Sequence, residues 1–213
     1  MRDLRICFVG DSYVNGSGDE TGLGWTGRLC ARRISGDLRL TRYDLGIRGE
    51  TTDQIGARWQ SECTPRLPEG ADNRVVLQFG INDVAVITGQ GRHVAPEASL
   101  ASAAELVSAA AAAYPTLWVG LPPANVACSP MHPSAGLEIS FRQEDAIALN
   151  GAFKDLAAKL GIAYLDIQTP LLGDTAYLDS LTRGDRMHPD GEGYARITDL
   201  VDAWPAWSDW FEV

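Results

Sequence analysis

Short β-type runs alternate with longer amphipathic stretches along this chain, and that alternation restricts its topology more than any other feature. Leu4 to Val9, Leu38 to Leu45, Val75 to Phe79, Thr116 to Leu121 and Ile162 to Ile167 read as strands. Between them, Trp25 to Ile34, Thr52 to Ser61, Pro96 to Tyr114 and Ser140 to Leu160 read as helices. Leu100, Ala103, Val107, Ala110 and Tyr114 follow the three-and-four spacing of one buried face, as do Leu149, Phe153, Leu156 and Leu160. A final helix is expected from Asp190, whose carboxylate would cap the run through Gly193, Ala195 and Leu200. Strands separated by helices pair in parallel through right-handed crossovers, which predicts a three-layer α/β sandwich with about five mostly parallel strands. Such sheets bind ligands where strand order reverses, at the carboxyl ends of the strands, so the loops after strands carry the functional information.

Three of those loops open with glycine beside short polar groups: Gly10-Asp11-Ser12-Tyr13, Gly46-Ile47-Arg48-Gly49-Glu50-Thr51 and Gly80-Ile81-Asn82-Asp83. Singly, each is ordinary turn chemistry. Together they emerge on one edge of a parallel sheet, which brings a hydroxyl, glycine amides and a carboxamide over a single crevice.

A serine hydroxyl becomes a nucleophile only when a neighbouring base takes its proton, so Ser12 requires a histidine and a group to orient it. The chain has three histidines. His93 lies in a polar loop, Gly89 to His93, with no carboxylate immediately before it. His132 and His188 share the tripeptide Met-His-Pro, but the residue three places back is Ser129 for the first and Asp185 for the second. Asp185-Arg-Met-His188 can fold as one turn in which the carboxylate accepts the Nδ1 hydrogen and leaves Nε2 as the base. The bland alternative, in which Asp185 and His188 only cap the last helix, leaves the three polar loops without a purpose.

Gly10-Asp11-Ser12-Tyr13, Gly49, Gly80-x-Asn82-Asp83 and Asp185-x-x-His188 resemble, in order, the four blocks of the SGNH hydrolases, also called the GDSL esterase/lipase family. The resemblance runs from residue 10 to residue 188. It implies a flavodoxin-like α/β/α sandwich in which Ser12 is the nucleophile, His188 the base and then the acid, and Asp185 its orienting partner. It further implies an oxyanion hole formed by the Ser12 and Gly49 backbone amides and the Asn82 side chain, without metal or cofactor. Tyr13 departs from the leucine of the family name, and Asp44 stands where asparagine often heads the second block. Asp83 reads as a loop brace, since Asp185 already serves His188. The nucleophile elbow of α/β-hydrolases, Gly-x-Ser-x-Gly, is absent, because residues 10 to 14 read Gly-Asp-Ser-Tyr-Val.

Composition narrows the partners. Eighteen basic against 28 acidic side chains give a formal net charge of −10, which opposes nucleic acid and anionic membranes. No run approaches the roughly 18 apolar residues of a spanning helix. The four cysteines, Cys7, Cys30, Cys63 and Cys128, lack zinc-site spacing and read as scattered reduced thiols. The apolar run at Leu4 to Val9 is too short for a secretory signal, so the expected location is the cytoplasm, or outside it for a chain whose leader has been removed. At roughly 150 residues per domain, residues 1–213 read as one domain. The sequence assigns no oligomeric state.

The leading functional reading is a serine hydrolase acting on a small or medium acyl ester or thioester through an acyl-serine intermediate. A carbohydrate O-deacetylase or an acyltransferase would use the same residues. A flavodoxin-like module binding a phosphorylated ligand without catalysis, through Gly10 to Gly18, is the remote alternative, and it gives no reason for Asp185-x-x-His188. Trp25, Phe79, Val84, Pro122 and Met187 are neighbouring candidates for the acyl pocket. The proline-rich segment Leu121 to Gly136 reads as a functional wall or lid. Trp204, Trp207, Trp210 and Phe211 read as packing the C-terminal segment onto the body.

Overall fold

The structure is a computed structural model and describes residues 1–212. In chain order its elements are β1 (Arg2–Gly10), α1 (Ser12–Asn15), α2 (Gly24–Ala31), β2 (Leu38–Gly46), α3 (Thr52–Cys63) and β3 (Asp72–Gln78). A 3₁₀ turn at Ile81–Val84 follows, then β4 (Val86–Ile87), β5 (Gly91–Arg92), α4 (Pro96–Ala113), β6 (Thr116–Val119), β7 (Met131–Ser134) and β8 (Leu137–Ser140). The chain continues through α5 (Gln143–Leu160), β9 (Ala163–Leu165), α6 (Gln168–Leu172), α7 (Thr175–Ser180), α8 (Gly191–Asp202) and α9 (Pro205–Ser208).

Five strands form a parallel sheet in the order β2-β1-β3-β6-β9. β1 lies inside the sheet, between β2 and β3, and its Ile6, Cys7, Phe8 and Val9 are all buried, which suits a strand covered on both faces. The chain steps from β1 to β2 in one direction and then returns past β1 to β3, so strand order reverses between β1 and β3. A crevice therefore opens at their carboxyl ends. Right-handed crossovers put α2 and α8, which pack together, on one face, and α3, α4 and α5, packed side by side, on the other. This is the expected three-layer arrangement.

A second sheet, antiparallel in the order β5-β4-β8-β7, has no counterpart in the sequence reading. Its strands have only two to four residues, too few to display an alternating pattern. It absorbs the end of the proline-rich segment, whose first half stays irregular while Met131–Ser134 enters a hairpin. It also moves the start of α5: Ser140, the predicted first helical residue, pairs instead with Val86. The helix predicted through Ile34 stops at Ala31, and Ile34 is exposed.

Trp25, Trp118 and Trp207 are the largest fully buried side chains. Trp207, from α9, packs on Phe8 of β1 with ring centroids 6.3 Å apart, and Trp210, tilted, and Phe211, edge-on, pack against Trp207 at 5.8 and 4.8 Å. The C-terminal aromatics thus close the core. Among the described residues no disulfide is formed and no helix is long and apolar enough to cross a membrane.

Candidate active site

β1 leaves the sheet at Gly10, and Asp11 caps the single turn of α1 by accepting the Tyr13 N–H on Oδ1 at 2.9 Å. Ser12 is the first helical residue, so its own N–H has no intrahelical partner. Gly46, at the end of β2, lets this turn sit directly on the strand: a Cβ there would stand 2.3 Å from Asn15 N and 2.5 Å from Asp11 O.

The loop after β2 presents Arg48 and Gly49, the latter at φ +81°. Among the described residues, neither the Ser12 nor the Gly49 N–H donates to a protein acceptor, and both residues line the same cavity. From the turn after β3, Asn82 Nδ2 donates to Glu50 O at 2.9 Å and lies 3.5 Å from Asp11 Oδ2. Glu50 is itself held by Arg58, whose Nε donates to its carboxylate at 2.6 Å. The same guanidinium donates to Gly10 O and Leu45 O, each at 2.9 Å, so it clasps the ends of β1 and β2 together. Asp83 accepts the Thr52 N–H at 2.9 Å and braces the β3 loop against the start of α3. Asp44, the departure in the second block, turns away to Thr26 and Arg42.

Asp185 and His188 form one tight turn. Asp185 Oδ1 accepts the N–H groups of Met187 (2.9 Å) and His188 (2.8 Å), while Oδ2 meets His188 Nδ1 at 2.7 Å. Partial burial raises the Asp185 carboxyl, but the bonds from the imidazole and the two amides outweigh it and hold the group well below the usual carboxylate range. An ionised carboxylate can only accept, so Nδ1 carries the hydrogen and Nε2 is left as the basic nitrogen. Tyr13 stacks edge-on to the imidazole at 5.7 Å, filling the place of the smaller leucine. Gly18, at φ +87°, admits this turn: a Cβ would stand 2.9 Å from His188 Cβ and 3.0 Å from Pro189 O. Beyond it, Asp190 caps α8 as the sequence suggested, accepting from Glu192 and Gly193 N–H.

These parts meet in a cavity of about 480 Å³ lined by Ser12, Tyr13, Gly49, Asn82 and His188. One wall is apolar, built by Met131, Leu137, Ile139 and Phe141 of the second sheet with Ile81 and Met187. Of the five acyl-pocket candidates named from sequence only Met187 lines it. Trp25, Phe79 and Val84 are core side chains, and Pro122 is buried outside the lining, its carbonyl accepting from Gln168 Nε2 at 3.2 Å. His93 and His132 are exposed and lie outside the cavity. His93 Nδ1 is 3.2 Å from Asn82 O, and His132 faces Glu138 at 3.9 Å. Complete burial pushes the Asp11 carboxyl up to about 7, opposed by the Tyr13 N–H and reinforced by the nearby Asp83 and Glu50.

Sequence reasoning missed Arg58, Glu50 and Asn125. The first two fix the acceptor that orients Asn82. Asn125, also in the cavity lining, donates to Leu181 O and Arg186 O beside the Asp185 turn. The contacts that tie them to the site, Glu50 O to Asn82, Arg58 to Gly10 O and Asn125 to Leu181 O and Arg186 O, span 32 to 61 residues of sequence, with no local signal to mark them. Chemically, the cavity combines a hydroxyl, an imidazole oriented by a carboxylate, two unpaired backbone donors and a directed carboxamide. No hydrogen bond joins Ser12 Oγ to His188, a contact that commonly tightens only with substrate bound.

The sequence profile of the GDSL-like lipase/acylhydrolase family matches residues 8–196. No curated protein matches the chain. Among solved structures, a lipase/acylhydrolase from Enterococcus faecalis is similar with a TM-score of 0.66 and 19% identity, over 95% of this chain and 94% of that one. An alpha/beta hydrolase enzyme from the metagenome of Lake Arreo, Spain, gives 0.66 and 22%, over 100% and 97%. An acetylxylan esterase from Geobacillus stearothermophilus gives 0.68 and 19%, over 98% and 94%. At these identities the likeness is one of fold.

Proposed function

The chain belongs to the GDSL-like lipase/acylhydrolase family and is an ester-hydrolysing enzyme, and from that premise we propose that its chemistry runs on Ser12, His188 and Asp185 with the Ser12 and Gly49 amides and Asn82 as oxyanion donors. The observation that carries the reading is the meeting, in one cavity, of Ser12 with an imidazole whose Nδ1 is fixed 2.7 Å from Asp185.

In the first half-reaction Ser12 Oγ bonds to the acyl carbon as its proton passes to His188 Nε2. The carbonyl oxygen becomes an oxyanion, met by the two unpaired N–H groups and the Asn82 amide. Donors fixed beforehand stabilise this charge without reorganising, and so favour the transition state over the substrate. Collapse breaks the ester C–O bond, and the leaving alkoxide takes the proton from His188. Water then repeats the sequence on the acyl-serine: it loses a proton to Nε2, forms the tetrahedral adduct and releases the acid, returning the proton to Ser12. Asp185 keeps the ring oriented and stabilises the imidazolium while remaining ionised. Residues 1–213 act in this reading as one unit.

The apolar wall and the cavity volume support an acyl group of small to medium length. The test is a panel of chromogenic esters from acetyl to long acyl, with acetylated sugars and acyl thioesters beside it, run on the parent and on Ser12→Ala. Hydrolysis of at least one ester should fall by 10³-fold or more, on the order expected for a lost nucleophile, with the fold unchanged. Equal turnover by both proteins would remove Ser12 from the mechanism. The preferred arm of the panel identifies the substrate half that the cavity recognises.

A further inference from the structure

We propose that Asn125 is a positioning residue that holds the Asp185-His188 turn in its working geometry and ties it to the apolar wall of the cavity. The inference rests on the reading of His188 as the base.

The turn is not self-supporting. Arg186, at its centre, has φ +57° and is the only non-glycine residue with positive φ among those described. A side-chain-bearing residue in that left-handed region costs free energy and persists only where surrounding contacts over-determine it. The bonds within the turn, all to Asp185, fix its inner side. On the outer side, Arg186 O accepts from Asn125 Nδ2 at 3.1 Å. The same nitrogen donates to Leu181 O at 2.8 Å. One amide thus spans the two ends of the segment that delivers the turn to the cavity.

The orientation of this amide is determined by its partners. Two carbonyls require hydrogens on one side, and on the other Asn125 Oδ1 accepts the Cys128 N–H at 3.3 Å. A flipped amide would set oxygen against oxygen and N–H against N–H. Asn125 is only 4% exposed, so water does not readily replace a bond that is lost.

A second chain of bonds leads from the same residue to the substrate wall. Asn125 O accepts from Ser129 Oγ at 3.2 Å, and that oxygen accepts the N–H of Phe141 at 3.3 Å. Phe141 lines the cavity at the end of β8. The base and the wall that receives the substrate therefore share one anchoring residue, whose side chain donates toward the base and whose main-chain carbonyl accepts from the wall. A displacement of about 1 Å at a reacting group can cost 10²-fold in rate, which is the scale on which this anchor matters.

The experiment compares the parent with Asn125→Ala, Asn125→Asp and Ser129→Ala, using a chromogenic ester and kcat and KM measured across about pH 5 to 9. Asn125→Asp keeps the size and the acceptor while removing the donor, so it serves if the alanine variant folds poorly. For both Asn125 variants, kcat per folded molecule should fall by about 10- to 100-fold with KM changing less than about threefold. The acid limb should move to lower pH. Asp185 on its own turn and Tyr13 from α1 are the titratable groups packed on the imidazole, and of the two it is the Asp185 bond that a loosened turn lengthens. The downfield proton signal of His188 Nδ1 should broaden, a readout that needs no turnover. Ser129→Ala, which cuts only the link to the wall, should raise KM more than it lowers kcat. An unmoved acid limb and Nδ1 signal in both Asn125 variants would overturn the assignment, as would activity lost only in proportion to folded protein. Activity surviving in Ser12→Ala would instead defeat the reading of the site itself, and is distinguishable because the Nδ1 signal tests the turn directly.

Discussion

Asn82 enters the cavity with one side-chain hydrogen committed to Glu50 O, so the direction of the carboxamide is set before any substrate arrives. In the proposed mechanism this amide is an oxyanion donor that acts without reorganisation, so Asn82→Ala should lower kcat by about 10²- to 10³-fold while KM moves little. Steady-state kinetics on the preferred ester checks this. Asp11 presents a different property at the same scale. Its carboxyl is pushed up to about 7 by burial, whereas an unfolded aspartate titrates near ~3.9. Between those values the folded state binds the extra proton, so this group's contribution makes stability fall as pH rises from about 4 to about 7, with no further change above. Asn at position 11 keeps the acceptor for the Tyr13 N–H and removes the titration. The stability of Asp11→Asn relative to the parent should therefore improve from about pH 4 to about pH 7, as urea midpoints at the two ends would record. The residues singled out from sequence, Ser12, Gly49, Asn82, Asp185 and His188, carry local marks: a glycine beside a polar group after a strand, or a carboxylate three places before a histidine. Arg58 and Asn125 carry none. Their roles come from carbonyls 48 and 61 residues distant, which only folding brings near.

Among the elements, the turn delivering His188 depends on the loop that follows α1. Tyr194 of α8 donates to Ser17 O at 2.8 Å, and Gly18 lies against His188 Cβ and the Pro189 carbonyl with no room for a side chain. Gly18→Ala combines a positive φ with a Cβ placed 2.9 Å from His188 Cβ, so the turn that carries His188 must shift. A fall of at least about tenfold in kcat is expected, with a smaller change in KM, on the scale set by displacement of a reacting group. The central strands and long helices were legible because their apolar periods extend over many residues. The small antiparallel sheet was not, since a strand of two residues has no period to read, and its pairing depends on contacts between residues 86 and 140. That omission had a consequence for the site. The apolar wall is built from this sheet, and the aromatic candidates chosen by proximity in sequence proved to be core.

For the molecule as a whole, the C-terminal aromatics are part of the core. Trp207 is fully buried on Phe8, so Trp207→Ala should cost about 3–5 kcal/mol of stability, the range for removal of a buried large aromatic. Urea unfolding measures that loss. Activity per folded molecule should persist, because α9 contributes nothing to the cavity lining.

The alternation of strands and helices by itself determined the layered parallel architecture and the edge on which the functional loops emerge, because crossover handedness and hydrophobic period are local properties of the chain. Likewise, the spacing of Asp185 and His188 determined that one histidine of three would be oriented, since a single turn encloses both groups. Tertiary structure alone decided what surrounds the reacting groups: the wall from the second sheet, the guanidinium that clasps two strand ends, and the amide that steadies the turn. Those depend on side chains meeting across long sequence separations, and such meetings are set by the packing of the whole chain.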